Sequence, residues 1–191
     1  MRRKKMSKWD SETAEWYAEK YGEYATNRLG TAAVEFSPES TVVDIGCGTG
    51  SALRHAAKQV TNGVLIGIDP VPRMVEIARE KTATDVAADR IHFYQGAAES
   101  LPLEDASADF VLAFDSFDHW QDQHQGLKEV RRVLTPDGAF VIVKDGGLPC
   151  GSEAKSELFE ALERAGFKVV KDKTMEGEGV ELTLWVCKTT I

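Results

Sequence analysis

Cysteine is scarce in this sequence: Cys47, Cys150 and Cys187 are the only three in 191 residues, an odd count with no Cys-x-x-Cys spacing. That excludes a disulfide framework and a four-cysteine zinc centre, which need more thiols set close together. The four histidines, His55, His92, His119 and His124, show no paired ligand spacing, so no metal site is expected. Long apolar runs are missing too. None approaches the roughly 18 residues of a membrane span. The basic start passes straight into Trp9-Asp10-Ser11-Glu12, not into an apolar signal-peptide stretch. These absences predict a soluble, cytoplasmic protein. Repeats, low-complexity tracts and long linkers are also lacking, so one domain is expected.

Positive charge is short in the body of the chain. Five of the 23 basic residues (Arg2, Arg3, Lys4, Lys5 and Lys8) fall in the first eight, leaving 18 against all 31 acids, a balance of −13. Such a body is a poor match for a phosphate backbone. Residues 1–8 read as a mobile basic leader, with docking to RNA or an acidic partner as the lesser alternative. Residues 9–191 form the domain.

Residues 9–34 have helical spacing of Ala14, Tyr17, Ala18, Tyr21, Tyr24 and Ala25, with Gly22 and Gly30 as candidate breaks. From residue 41, apolar runs at Thr41–Ile45, Val64–Ile68, Ile91–Tyr94, Phe110–Phe114 and Ala139–Val143 alternate with helical stretches at Ser51–Val60, Val71–Thr82 and Asp122–Leu134. That alternation predicts a doubly wound α/β fold, with a mostly parallel sheet and helices on both faces. A helix over Ser152–Ala165 should cap at Gly166. Phe167–Lys171 and Val180–Cys187, joined across Glu176–Gly179, should form a terminal antiparallel hairpin, making seven strands. The expected organisation is a helical segment at 9–34 on an α/β core at 40–191.

The glycine loop Asp44-Ile45-Gly46-Cys47-Gly48-Thr49-Gly50 leaves the first strand and opens a helix. Glycine there lets the backbone turn sharply and approach a ligand. Asp69 ends the second strand, where a carboxylate can hydrogen-bond a ribose. The geometry suits two cofactor classes. A dinucleotide fingerprint would need glycine at position 51, which is Ser51.

Val42–Gly50 (VVDIGCGTG) resembles the first motif of class I S-adenosylmethionine-dependent methyltransferases. The likeness continues through Gly67-Ile68-Asp69-Pro70, Met74, Gln95–Pro102, Asp109–Trp120 and Arg132–Gly138. It spans roughly residues 40–145, is similar in detail to the small type 11 methyltransferases, and implies a Rossmann-like fold binding S-adenosyl-L-methionine. By that resemblance Asp44, Gly46, Cys47, Gly48 and Gly50 face the methionine half, with the Ala113 carbonyl at its ammonium. Asp69 takes the ribose, Pro70 and Met74 lie against the adenine, and Ala97 and Ala98 read its edge. The family usually has an acid at the position of Ala97, so Glu99 becomes the candidate substitute. Met74, spaced with Ile77 and Ala78, also reads as core. Cys47 reads as a small loop residue with no neighbouring base.

The resemblance implies in-line methyl transfer to a small-molecule acceptor, which needs alignment above all. Asp115 and His119, after the fourth apolar run, are candidates to take a proton; His119-Trp120 reads equally as packing. The Asn-Pro-Pro-Tyr motif of DNA amino-methylating enzymes would fall at Phe114–Phe117 and is absent. The insert Asp145–Gly151 is short, so a lid over the site must come from residues 9–34, whose aromatics otherwise pack on the sheet. A cofactor-binding protein or subunit without catalysis is the main alternative; an NAD-dependent oxidoreductase is the lesser one.

Overall fold

The computed structural model describes residues 9–146 and 152–190; the leader 1–8 and Cys150 lie outside them. Helices α1 (Ser11–Tyr21) and α2 (Ala25–Ala32) precede β1 (Thr41–Ile45), α3 (Ser51–Ala56), β2 (Val64–Asp69), α4 (Pro72–Thr82) and β3 (Ile91–Gln95). Next come β4 (Ala108–Phe114), α5 (Gln123–Val133), β5 (Leu134–Asp145), α6 (Ser152–Arg164), β6 (Phe167–Gly177) and β7 (Val180–Thr189). The seven strands form one sheet in the order β3-β2-β1-β4-β5-β7-β6. β1–β5 are mutually parallel, and β7 runs antiparallel to both neighbours. The fold is the doubly wound, Rossmann-like one expected, with its terminal hairpin.

Alternation along the strands divides the core. Val42, Leu65, Phe93, Leu112, Val141, Val143 and Leu184 pack with α3 and α4. Val43, Ile45, Ile68, Val111, Phe140, Ile142 and Trp185 pack with α5 and α6. On the period-2 pleat, Asp44 falls on the Val42 side, at the end of the strand that starts the glycine loop. The order reverses between β1 and β4, and a doubly wound sheet offers its ligand crevice at the carboxyl ends of the strands there.

Three details differ from expectation. Gly30 does not break α2: a Cβ there would lie 2.9 Å from the Phe114 ring and 3.0 Å from Val143, so glycine admits the helix close to the sheet. Gly22 does end α1, its N–H bonding the Ala18 carbonyl at 3.1 Å. Helix α3 stops at Ala56, and Ala57–Gln59 continue as turns. β5 begins at Leu134 because Leu134 pairs with Ala108 before the register shifts to Phe110–Ala139. The hairpin turn has positive φ at both Glu178 (53°) and Gly179 (79°), the backbone that suits a two-residue connection between twisted strands. No helix joins β3 to β4; Arg132 ties that segment down by bonding the carbonyls of Leu101 (3.1 Å) and Leu103 (2.7 Å) and the carboxylates of Asp105 and Glu129. Among the described residues no helix is long and apolar enough to cross a membrane.

Candidate functional site

The glycine loop crosses the carboxyl edge of the sheet with Gly46, Gly48 and Gly50 all at positive φ, 73°, 52° and 76°. Their reasons differ. A Cβ on Gly46 would meet the Ser116 Cβ at 2.5 Å, and one on Gly50 would meet the Phe93 ring at 2.6 Å. A Cβ on Gly48 would meet nothing within 4 Å, so that backbone faces open space. The loop is tied to β2 through the Ile68 carbonyl, which accepts from the N–H groups of Gly46 (2.8 Å) and Cys47 (3.2 Å).

Two carboxylates flank it. Asp44 is 2% exposed, and its Oδ1 has no hydrogen-bond partner. Burial, and then the nearby Asp69, push its acid up to about 8. A buried carboxylate oxygen left unpaired is costly, so the arrangement is built for a partner that the protein itself does not supply. Asp69 accepts from the N–H groups of Gly48 (3.0 Å) and Val71 (2.9 Å). Its burial raises the acid to about 6 against the opposing pull of those two bonds. A carboxylate has about four acceptor sites, so Asp69 retains capacity for hydroxyl donors.

Other anticipated residues take definite places. Met74 is 2% exposed and packs with Ile77 against Ala14 and Ala18 of α1. Pro70 is exposed at the end of β2. Ala113 is fully buried in β4, paired with Ile142. Ala97 bridges to Ser100, with Ala98 buried next to it. Glu99 accepts from the Asp122 N–H at 2.9 Å, at the start of α5. Cys47 is buried, which pushes its thiol well above the ordinary value. His119 is exposed, whereas Trp120 packs on Phe117 (ring centroids 4.8 Å apart) and above Gly126.

Asp115 adopts a left-handed backbone, φ 51°. Both its oxygens are engaged: one accepts from Thr26 Oγ1 of α2 at 2.6 Å, the other from the Asp145 N–H at 2.7 Å. Burial raises its acid, offset by those bonds. The next residue, Ser116, donates to the Ile45 carbonyl at 2.5 Å. Here α2, β1, β4 and β5 are tied together around the strand reversal.

The N-terminal helices lie across this edge. Tyr17, half-buried, sits in the field of Asp115, Asp145 and Asp69; burial first and those charges next hold its phenol above the ordinary value. Its ring meets Trp9 and Tyr21, each at 5.1 Å between centroids, and burial, then the negative field of Asp145 and Asp115, raises the Tyr24 phenol as well. Asp115–Thr26 and the contacts of the α1–α2 elbow were not legible in the sequence, because their partners lie far apart along the chain and no spacing rule joins them.

Residues 43–142 match the methyltransferase domain family. The chain belongs to that family. It shares 33% identity over 118 residues with a ubiquinone/menaquinone biosynthesis C-methyltransferase of Geotalea daltonii, covering 61% of this chain and 50% of that relative. It shares 30% over 180 residues with the O-methyltransferase cnsE of Penicillium expansum, covering 85% and 64%. The chain thus spans about half to two thirds of the length of these relatives. An S-adenosylmethionine-dependent methyltransferase of Aquifex aeolicus has the same fold at a TM-score of 0.73 and 20% identity, with 94% of this chain and 99% of that one aligned. The cofactor of this class I family is S-adenosylmethionine. The orphaned, buried Asp44 oxygen, the open cradle at Gly48 and the second carboxylate of Asp69 fit a ligand with an ammonium and ribose hydroxyls.

Proposed function

We propose that this methyltransferase-domain protein transfers the methyl group of S-adenosylmethionine to a small-molecule acceptor. The unpartnered Asp44 carboxylate oxygen beneath an open glycine loop is the observation that carries the reading. Bound there, S-adenosylmethionine supplies an electrophilic methyl on positively charged sulfur. Asp44 accepts from the ammonium, Gly48 lets the backbone close on the methionine half, and Asp69 accepts from the ribose. Met74 supports the adenine side from beneath α1, and the backbone of Ala97–Ala98 reads the adenine edge.

Tyr17, Tyr21 and Tyr24 wall the acceptor side and exclude water, so that acceptor and methyl are held in line. Asp115 serves as an anchor, since Thr26 and the Asp145 N–H take both its oxygens. Exposed His119 is open to solvent and can pass on a proton that leaves the acceptor. A small acceptor is supported by the acidic body, by the lack of an Asn-Pro-Pro-Tyr motif and by two relatives whose names specify carbon and oxygen methylation.

Calorimetry with S-adenosylhomocysteine, followed by assay of its release over a panel of quinols, phenols and amines, tests the reading. Binding with turnover on at least one acceptor is expected. Binding of NAD with none of S-adenosylhomocysteine would overturn it. One observation favours a second reading, cofactor binding without catalysis: both Asp115 oxygens already have partners. Turnover on any acceptor removes it.

A further inference from the structure

The elbow between α1 and α2, Gly22-Glu23-Tyr24, is fastened to the glycine loop and to the helix that follows. Thr49, 3% exposed and itself in the loop, donates from Oγ1 to the Gly22 carbonyl at 2.5 Å. The approach is close enough that a Cβ on Gly22 would lie 2.7 Å from Thr49 Cγ2. Glu23 takes three more connections, the third a 3.9 Å approach of the Lys81 ammonium of α4 to the oxygen that meets Arg54. One oxygen accepts from Ser51 Oγ at 3.0 Å, at the first residue of α3, and the other pairs with Arg54 at 2.5 Å. The same Arg54 guanidinium bonds the Thr49 carbonyl at 2.6 Å. Thr49, Ser51 and Arg54 therefore reach from the cofactor-facing loop to one point on the segment that carries Tyr17, Tyr21 and Tyr24.

We propose that Glu23 is a positioning residue, a latch by which occupancy of the glycine loop orders the α1–α2 segment, so that the cofactor binds first and completes the acceptor site. Three physical points support this. The glycine loop is held in left-handed conformations, and a ligand that fixes them also fixes Thr49 and Ser51, the two residues that grip the elbow. The Glu23 side chain is 55% exposed, so its ion pair is weak by itself and open to a shift in population. The two anchors of the segment differ in kind: the Asp115–Thr26 bond is built into the sheet edge, whereas the elbow contacts depend on the loop. By linkage, whatever the loop ligand gains from the closed segment, the closed segment gains from the ligand.

Hydrogen exchange in wild type and Glu23→Ala, with and without S-adenosylhomocysteine, tests the latch. In wild type the ligand should slow exchange both in residues 46–54 and in residues 11–32. In Glu23→Ala the protection of 46–54 should persist while that of 11–32 is lost. The dissociation constant should rise by about fivefold, the low end of coupling between linked sites, and the acceptor KM should rise more than kcat falls. Glu23→Gln, which keeps one acceptor for Ser51, should recover part of the protection. Glu23 is exposed, so the fold should survive the change, and the unliganded melting temperature checks that it does. Equal protection of 11–32 in wild type and Glu23→Ala, or a wild-type loop that gains protection while 11–32 does not, would overturn the latch. No protection anywhere and no heat of binding would overturn the cofactor assignment itself, and the latch with it.

Discussion

Asp44 concentrates the tension between stability and binding in one side chain. In the unfolded chain its carboxyl ionises near the ordinary value of about 4, but burial keeps it protonated in the fold up to about 8. Between those limits the folded state holds a proton that the unfolded state has lost, so stability should fall as pH rises from about 4 to 8 and level off above. Asp44→Asn should flatten that slope and raise the melting temperature near pH 8, as thermal unfolding across pH would show. The same substitution should weaken cofactor binding about 10- to 100-fold, the scale of a lost hydrogen bond to a charged group. Because an ammonium partner favours the ionised form, binding below pH 8 should release a proton and tighten as pH rises. Calorimetry in buffers of different ionisation enthalpy measures that release, and a pH-independent affinity would contradict the Asp44–ammonium pairing. Burial, with Asp69 and Asp44 nearby, also pushes the Cys47 thiol well above its ordinary value.

Helices and loops carry constraints that propensity scales miss. Ala is the better helix former at an ordinary interior position, yet Gly30→Ala should destabilise the protein by about 1–3 kcal/mol, because the new methyl overpacks against Phe114 and Val143. Urea unfolding midpoints give the comparison. The segment between β3 and β4 lacks a helix of its own and depends on Arg132, which bonds two of its carbonyls and the Asp105 carboxylate while pairing with Glu129. Glu129 in turn accepts from the Leu101 N–H at 2.8 Å. Arg132→Ala should cost about 2 kcal/mol, since it leaves partly buried carbonyls and a carboxylate without their donor, and lower the melting temperature by about 4–8 °C. Arg132→Lys should not restore it, because one ammonium cannot reproduce the guanidinium fork. The two stretches that this arginine joins, Gln95–Pro102 and Arg132–Gly138, are both motifs of the family resemblance; in three dimensions they are one contact.

Across the whole molecule, the sequence by itself determined the architecture. Continuous apolar strands alternating with helical stretches leave few ways to bury both faces of a sheet. The turn residues Glu178 and Gly179 supply the left-handed backbone that closes the hairpin, and only the fold adds the pairing of Glu178 with Arg28 of α2. β1 appears at the residues its apolar run marked, and the glycine loop was legible because turn chemistry is local. What only the tertiary structure decided are contacts between residues far apart in the chain. Thr26 meets Asp115 across 89 positions, and Glu23 meets Arg54 across 31. Gly30, which read as a break, proved to be a point of close approach, and β5 started early because its partner strand supplied Ala108 for Leu134. Periodicity reports which face of an element is apolar, since that follows from backbone geometry. Which polar side chain finds which partner depends on where the packed elements bring them, and that is settled only when the sheet and helices assemble.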